Sequence, residues 1–255
     1  MTRPHGPRLY VVARPVFDEQ AVAAFLTDED LVWRRTDGAT APEEIVELAG
    51  RVCYLSFGDR QSPRTNSAYV TRLVEAGHHS VLEHATWSFV LTRVTRAFTH
   101  QFVRHRIGFS YSQLSQQYHD ERDAEPLIPD VIAADPRLAA IWRDGVDAAR
   151  GAYRSLIDAL EDEDLGLSGL ERIRLMRSAA RTVLPAATET KIAFTANARA
   201  LRHFLAERGR LPGDDEMRDV SVLLLETMRR EAPSLFADFH VRPGQRGEEV
   251  VASDR

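Results

Sequence analysis

Residues 86–94, Thr-Trp-Ser-Phe-Val-Leu-Thr-Arg-Val, alternate with a period of two. Trp87, Phe89, Leu91 and Arg93 share one side, and Ser88, Val90 and Thr92 share the other, which is the pattern of a half-buried β-strand. Thr95 then stands as an N-cap, and Phe98, Phe102 and Val103 follow at helical spacing. A strand that turns directly into a helix carries the chain to Arg104, with no glycine or proline before Gly108.

Upstream, Arg8 to Ala13 reads as a first strand, and residues 18–38 show no clear period. Thr40-Ala-Pro-Glu43 is a capping-box pattern. The helix it opens ends near Tyr54 and carries an apolar face of Ile45, Val46, Leu48, Ala49 and Val52. Asn66 caps a second helix that Gly77 closes. Downstream, 127–136 is a Pro-containing connector. Asp135-Pro136 opens the longest helix, about 136–162, with Leu138, Ile141, Val146, Tyr153, Leu156 and Ile157 at helical spacing. Another helix runs from Ser168 or Gly169 to Pro185. Glu189 to Thr195 alternates as a strand, 197–208 and about 215–231 read as helices, and Phe236 to Val241 as a last strand. Strands and helices mix without regular βαβ alternation, so the class is α+β rather than a doubly wound sheet. The expected organisation is a single catalytic domain over 1–242, with a polar, flexible tail over 243–255.

The 255 residues, 44% hydrophobic and 28% charged, are ordinary for a globular protein. No apolar run approaches the ~18 residues of a membrane span, and the first residues show no secretory pattern, so a cytoplasmic location and no membrane are expected. Net charge of −5 speaks against a nucleic-acid partner. Neither GxGxxG nor GxxxxGK[ST] occurs.

The chemistry concentrates in Arg104 to Tyr118, RHRIGFSYSQLSQQY. Arginines at one end suit a phosphate or oxyanion, and Ser, Gln and Tyr at the other suit a polar ring. Taken alone, the basic triplet is better explained by a solvated loop. His78, His79 and His84 with Glu83 invite a metal, but the spacing matches neither HExxH nor its inverse, so no metal is expected. A polar turn leading into the strand fits better. Asn197, Arg199, His203 and Arg208 lie along one helix, either as a solvated face or as ligand groups. Cys53, the single cysteine, lies near the end of a helix between apolar neighbours and reads as a packing residue.

Together, GHHSVLEH at 77–84, RHR…SQLSQQY at 104–118, ARTVLPAATET at 180–190 and NARALRHF at 197–204 resemble the flavin-dependent thymidylate synthase family, in its order and over about residues 8–242. The resemblance implies an α+β fold with a central, mostly antiparallel sheet flanked by helices, a helical segment about 136–185, and a homotetramer with sites shared between subunits. It implies FAD as cofactor, NADPH and 5,10-methylenetetrahydrofolate as co-substrates, and C5-methylation of dUMP. His78, Ser80, Glu83, Arg104, His105, Arg106, Asn197, Arg199 and His203 match flavin positions. Arg96, Gln101, Gln113, Ser115, Gln117, Tyr118, Arg181 and Arg208 match positions around the nucleotide. Of these, Arg208, Ser115 and His203 stand nearest the chemistry. Three departures are visible. Eight residues, 107–114, separate RHR from the serine where the family has seven. Gln117 stands where an arginine is usual. Gly209 to Gly213 replaces a Ser-His-Ala motif. All three fall around the nucleotide. They imply a divergent member that accepts dUMP, UMP or both, as in nucleoside-antibiotic biosynthesis. An NADPH-oxidising flavoprotein without methyl transfer is the competing class.

Overall fold

A computed structural model of the protein describes residues 6–254. In chain order its elements are β1 (Arg8–Ala13), α1 (Glu19–Asp28), α2 (Ala41–Tyr54), α3 (Asn66–Glu75), β2 (Thr86–Thr95), α4 (Arg96–Phe102), β3 (Phe109–Gln113), α5 (Asp130–Ala133), α6 (Pro136–Glu161), α7 (Gly169–Ala180), β4 (Glu189–Asn197), α8 (Ala198–Arg208), α9 (Asp215–Glu231), β5 (Phe239–Pro243) and β6 (Glu249–Ser253). Four strands form one sheet in the order β1-β2-β4-β3, and β5 pairs antiparallel with β6 as a separate hairpin. The α+β class holds, and 136–183 is helical apart from one connection.

The chain divides into two compact units. The first holds residues 6–8, Leu91–Arg104 and Tyr111–Ala193; the second holds Leu9–Val90, His105–Ser110 and 194–254.

In the first unit, α6 and α7 bury Tyr153, Ile157, Met176 and Ala180 against one another. Each large side chain so buried contributes roughly 1.5–3 kcal/mol. Asp135 caps α6, its Oδ1 accepting from the amides of Arg137 and Leu138. The apolar face read for this helix is only partly covered: Ile141 is 66% exposed, and Leu138 and Leu156 are also exposed. Thr95 caps α4 as expected, accepting from the Phe98 amide at 3.0 Å. β3 lies inside the stretch read only for its chemistry. Phe109 is buried, Tyr111 and Gln113 are half-buried, and Ser110 and Ser112 are exposed.

In the second unit, the Phe89 ring stacks on Phe194 at 4.8 Å, and α8 and α9 bury Leu201, Phe204, Leu224 and Met228. Here α2 departs from its sequence pattern. Its buried face carries Glu43, Glu47 and Arg51, while Ile45, Leu48 and Ala49 are half-buried and Val52 is exposed. The reason is a closed polar network. Arg51, fully buried, donates to Glu47 Oε1 at 2.6 Å and to the carbonyls of Ser56 and Pro63, and sits 4.2 Å from the Tyr69 ring centre. Glu47 also accepts from Trp33 Nε1 and Asn66 Nδ2. Asn66 is therefore drawn inward, and Thr65, not Asn66, caps α3.

Three further expectations are corrected. Arg93 has φ +57°, so the strand steps out of register: Arg93 stays half-exposed and Val94 takes the buried place. The segment 236–241 begins as a 3₁₀ turn, and the strand starts only at Phe239. The tail after Pro243 is not loose. It forms β6, whose Val250, Val251 and Ala252 are buried. Residues 18–38, without clear period, contain α1, capped by Asp18. Among the described residues, no helix is long and apolar enough to cross a membrane.

Candidate active site

The second unit collects most of the positions expected around a flavin. α3 ends with the His78 amide bonded to the Leu73 carbonyl and the Gly77 amide to that of Val74, a Schellman-type stop that turns the chain into the 3₁₀ segment His79–His84. His78 stacks on Tyr54, ring centres 5.5 Å apart, with Nδ1 2.9 Å from the Tyr54 hydroxyl. Ser80 is exposed beside it. Glu83 pairs with Arg199 at 2.5 Å. Asn197 caps α8, its Oδ1 accepting from the Ala200 amide at 2.9 Å, and its own amide donates to the Gly108 carbonyl. Gly108 has φ +74°, and a Cβ there would lie 2.7 Å from Ala200 Cβ and 2.9 Å from Asn197 Nδ2, so only glycine fits this approach.

His105 accepts from Arg208 Nε at 2.9 Å and packs edge-on against Phe204. Burial first, and then the positive charge of Arg208 and the neighbouring His203, hold the His105 imidazole below its ordinary pKa. Its ring is therefore neutral near pH 7, with Nε2 as the acceptor. Arg106 and His203 are exposed. A cleft of about 720 Å³ is lined by Glu83, Gly108, Asn197, Arg199 and His203 among others. A smaller one of about 300 Å³ is lined by Cys53, Tyr54, His78 and Ser80. Cys53 is thus exposed at a cavity edge rather than packed, because the network of Glu47 and Arg51 turns the opposite face of α2 inward.

The first unit holds Arg96, Gln101, Arg104, Gln113, Ser115, Gln117, Tyr118 and Arg181. Arg208 is the one nucleotide-side residue that falls in the second unit, and Arg104 the one flavin-side residue in the first. Arg96 opens α4 and donates to the Leu114 carbonyl. Burial lowers its pKa, Glu121 raises it, and the like charge of Arg181 lowers it again. Arg96 and Arg181 are thus close enough to repel, and among the described residues Arg181 has no carboxylate partner within ion-pair distance. Gln113 donates to Thr99 Oγ1 at 2.7 Å. Ser115 Oγ accepts from the Gln117 amide, which makes it a turn-forming hydroxyl with no base against it in that contact. Gln117 Nε2 donates to Ser178 Oγ at 2.7 Å, and Arg177 donates to the Tyr118 carbonyl at 2.5 Å. Tyr118 itself is 61% exposed.

Sequence reasoning missed Tyr54, Ser178, Arg177 and Glu121. Glu121 is 3% exposed, and burial pushes its carboxyl pKa up against the pull of His119 and Arg96. Arg177, Ser178 and Arg181 fall at helical spacing, a signal that marks one face of α7 without saying what it meets.

The sequence model of the family described as "thymidylate synthase complementing protein" matches residues 36–234. A flavin-dependent thymidylate synthase of Mycolicibacterium gilvum is 44% identical over 238 residues, 91% of this chain and 93% of the relative. One from Corynebacterium aurimucosum is 41% identical over 91% of this chain and 94% of its own length. One from Corynebacterium efficiens is 39% identical over 99% of this chain and 98% of its own.

Proposed function

Because the chain belongs to the flavin-dependent thymidylate synthase family, we propose that it methylates C5 of a uridine monophosphate, dUMP first, with FAD as cofactor and NADPH and methylenetetrahydrofolate as co-substrates. The single observation that carries this is the division of labour between the units. One presents a cleft lined by Asn197, Arg199 and His203, the other a desolvated Arg96 within reach of the like charge of Arg181.

The residues fit a flavin dinucleotide. The cleft is of ordinary ligand size. Gly108 brings backbone close to its wall, and Arg199 offers a cation already oriented by Glu83. Bound FAD would supply the hydride that completes the methyl group. His105, neutral and hydrogen-bonded to Arg208, orients that guanidinium without adding a second charge. Arg208 is then free along its remaining N–H groups to stabilise negative charge on a pyrimidine carbonyl. Arg96 and Arg181 hold the 5′-phosphate, whose charge removes their mutual repulsion. Ser115 and Gln117 order the loop beneath the nucleotide.

The same reading takes 1–242 as one catalytic region of the family's fold, cytoplasmic and homotetrameric, with sites shared between subunits. Large apolar side chains left in water favour assembly: Ile107 is 91% exposed and Val16 84%. Gln117, neutral where an arginine is usual, favours UMP as a second substrate. The test is anaerobic turnover with FAD, NADPH, methylenetetrahydrofolate and either dUMP or UMP, read by product mass. A 5-methyl product from dUMP is expected. No methylation of either nucleotide without oxygen, together with NADPH turnover once oxygen is admitted as electron acceptor, would sink the methylase reading in favour of an oxidase.

A further inference from the structure

The cleft of the second unit has a wall that neither the family motifs nor the matched span 36–234 includes. Asp238, Phe239 and Ser253, at the base of the C-terminal hairpin, form it, and Arg202 of α8, which lies within the matched span, stands next to them in the cleft lining. Arg202 is held on three sides. Its NH1 and NH2 donate to the two Asp238 carboxylate oxygens at 2.6 and 2.8 Å, and NH1 also donates to the Leu235 carbonyl at 2.6 Å. Its guanidinium carbon lies over the Phe239 ring, 4.9 Å from the centre. Ser253 Oγ donates to Asp238 Oδ2 at 3.4 Å, which ties the far strand to the same carboxylate. The hairpin is pinned to the unit by the Val251 amide, which donates to the Gly209 carbonyl, and by the buried side chains of β6 against α9.

A bidentate carboxylate occupies the edge of a guanidinium and leaves its two planar faces. One face of Arg202 rests on Phe239, and the side chain, 11% exposed, still lines the cleft. An arginine fixed in this way stacks on planar rings without needing its net charge, which Asp238 offsets. The neighbouring cleft residues Asn197, Arg199 and His203 lie on the same helix. We propose that Arg202 is a further cofactor-binding residue whose open face stacks on a planar heteroaromatic ring of the bound dinucleotide. Asp238 and Phe239 act as positioning residues behind it. The inference rests on the flavin reading above and extends the binding site to the hairpin.

The experiment titrates FAD and FMN into flavin-free protein and reads flavin fluorescence and the visible flavin band. Arg202→Lys keeps the charge and loses the planar face. Phe239→Leu keeps bulk and loses the ring beneath. Arg242→Ala, on the exposed side of the hairpin, is the control, and thermal unfolding of each flavin-free variant reports folding. For Arg202→Lys, FAD dissociation constants about three- to thirtyfold weaker are expected, the span of a desolvated cation–ring contact. Phe239→Leu should shift in the same direction and Arg242→Ala stay at the wild-type value. Weakening of FAD alone assigns the stack to the adenine ring, and weakening of both ligands assigns it to the flavin ring. Folded Arg202→Lys or Phe239→Leu protein that binds both ligands within twofold of wild type would overturn the proposal. Wild-type protein that takes up no FAD would instead overturn the flavin reading itself.

Discussion

The expected site residues of the two units are arranged on opposite principles. In the second unit five of the eight side chains expected to meet the flavin already have a polar partner: Glu83 with Arg199, His78 with Tyr54, His105 with Arg208, and Asn197 with the start of α8. In the first unit Arg96 is desolvated beside another arginine, and Arg181 has no carboxylate partner among the described residues. The first arrangement is pre-organised and loses little on binding. The second leaves one cation desolvated and the other without a carboxylate, and an arriving phosphate pairs with both. A site of the first kind suits a resident cofactor, and one of the second suits a substrate that must come and go.

The sharpest way to break the pre-organised half is to attack what holds it. Arg51→Met removes the cation from the buried network of α2 and leaves Glu47 buried without its main partner. Breaking such a pair by one member costs roughly 3–5 kcal/mol. Urea unfolding should show a loss of that order, and FAD binding should weaken with it because Tyr54 ends the same helix. A loss below ~1 kcal/mol would mean that water enters and solvates Glu47, and that the network is not the support it looks like.

The repelling half should fail differently. Arg181→Ala removes one charge-assisted phosphate contact, typically ~1.5–3 kcal/mol, or about 10- to 150-fold in nucleotide affinity. The fold should be unharmed, since the Arg181 side chain has no carboxylate partner among the described residues to be orphaned. Calorimetric titration of nucleotide into FAD-loaded protein measures this, with FAD affinity as the internal control. Equal losses for both ligands would erase the distinction drawn between the halves.

What the sequence showed and hid follows the same divide. Periodicity located β2, β4 and α6, because each alternates or repeats against an apolar core, and the Pro212-Gly213 break with its acidic run separated α8 from α9. It misjudged α2, where buried charge replaces the apolar stripe, and Arg93, where one left-handed residue shifts the strand by a place. It also dismissed the tail, because Pro243 and the polar turn Gly244–Gly247 look like an ending, although they are the loop of a hairpin with a buried second strand. The motif residues were identified by resemblance. Partners such as Tyr54 and Ser178 were not, since nothing local marks a residue whose role is to hold another one.

The two units also carry buried titratable groups of opposite sign. His105 has a depressed pKa, so the unfolded chain binds its proton first as pH falls. Stability is therefore lost as pH drops through the ordinary histidine value near 6.5 towards the folded value. Glu121 has a raised pKa, chiefly from burial. Its contribution is present below the ordinary carboxylate value and is lost as pH rises through the folded one. Urea unfolding between about pH 4 and pH 8 should show His105→Gln flattening the acid limb above pH 5 and Glu121→Gln flattening the loss towards neutrality. If neither slope changes, the groups are better solvated than their surroundings indicate.

The smallest and most specific test concerns Gln117. The carboxamide is spent on Ser178, beside Arg177, which donates to the Tyr118 carbonyl and lies 3.7 Å from Asp120. Gln117→Arg would lose that neutral hydrogen bond, about 1 kcal/mol, and place a third cation on the nucleotide side. Against a dianionic phosphate the gain is ~1.5–3 kcal/mol, so the net expectation is about a threefold to thirtyfold tighter nucleotide. If Gln117 broadens the choice of sugar, the gain should be larger for dUMP than for UMP, because a third phosphate anchor would fix one ribose position. Titration of both nucleotides into wild-type and variant protein decides it. An equal gain for the two would make Gln117 a matter of affinity alone, and no gain would show that Arg96 and Arg181 already saturate the phosphate.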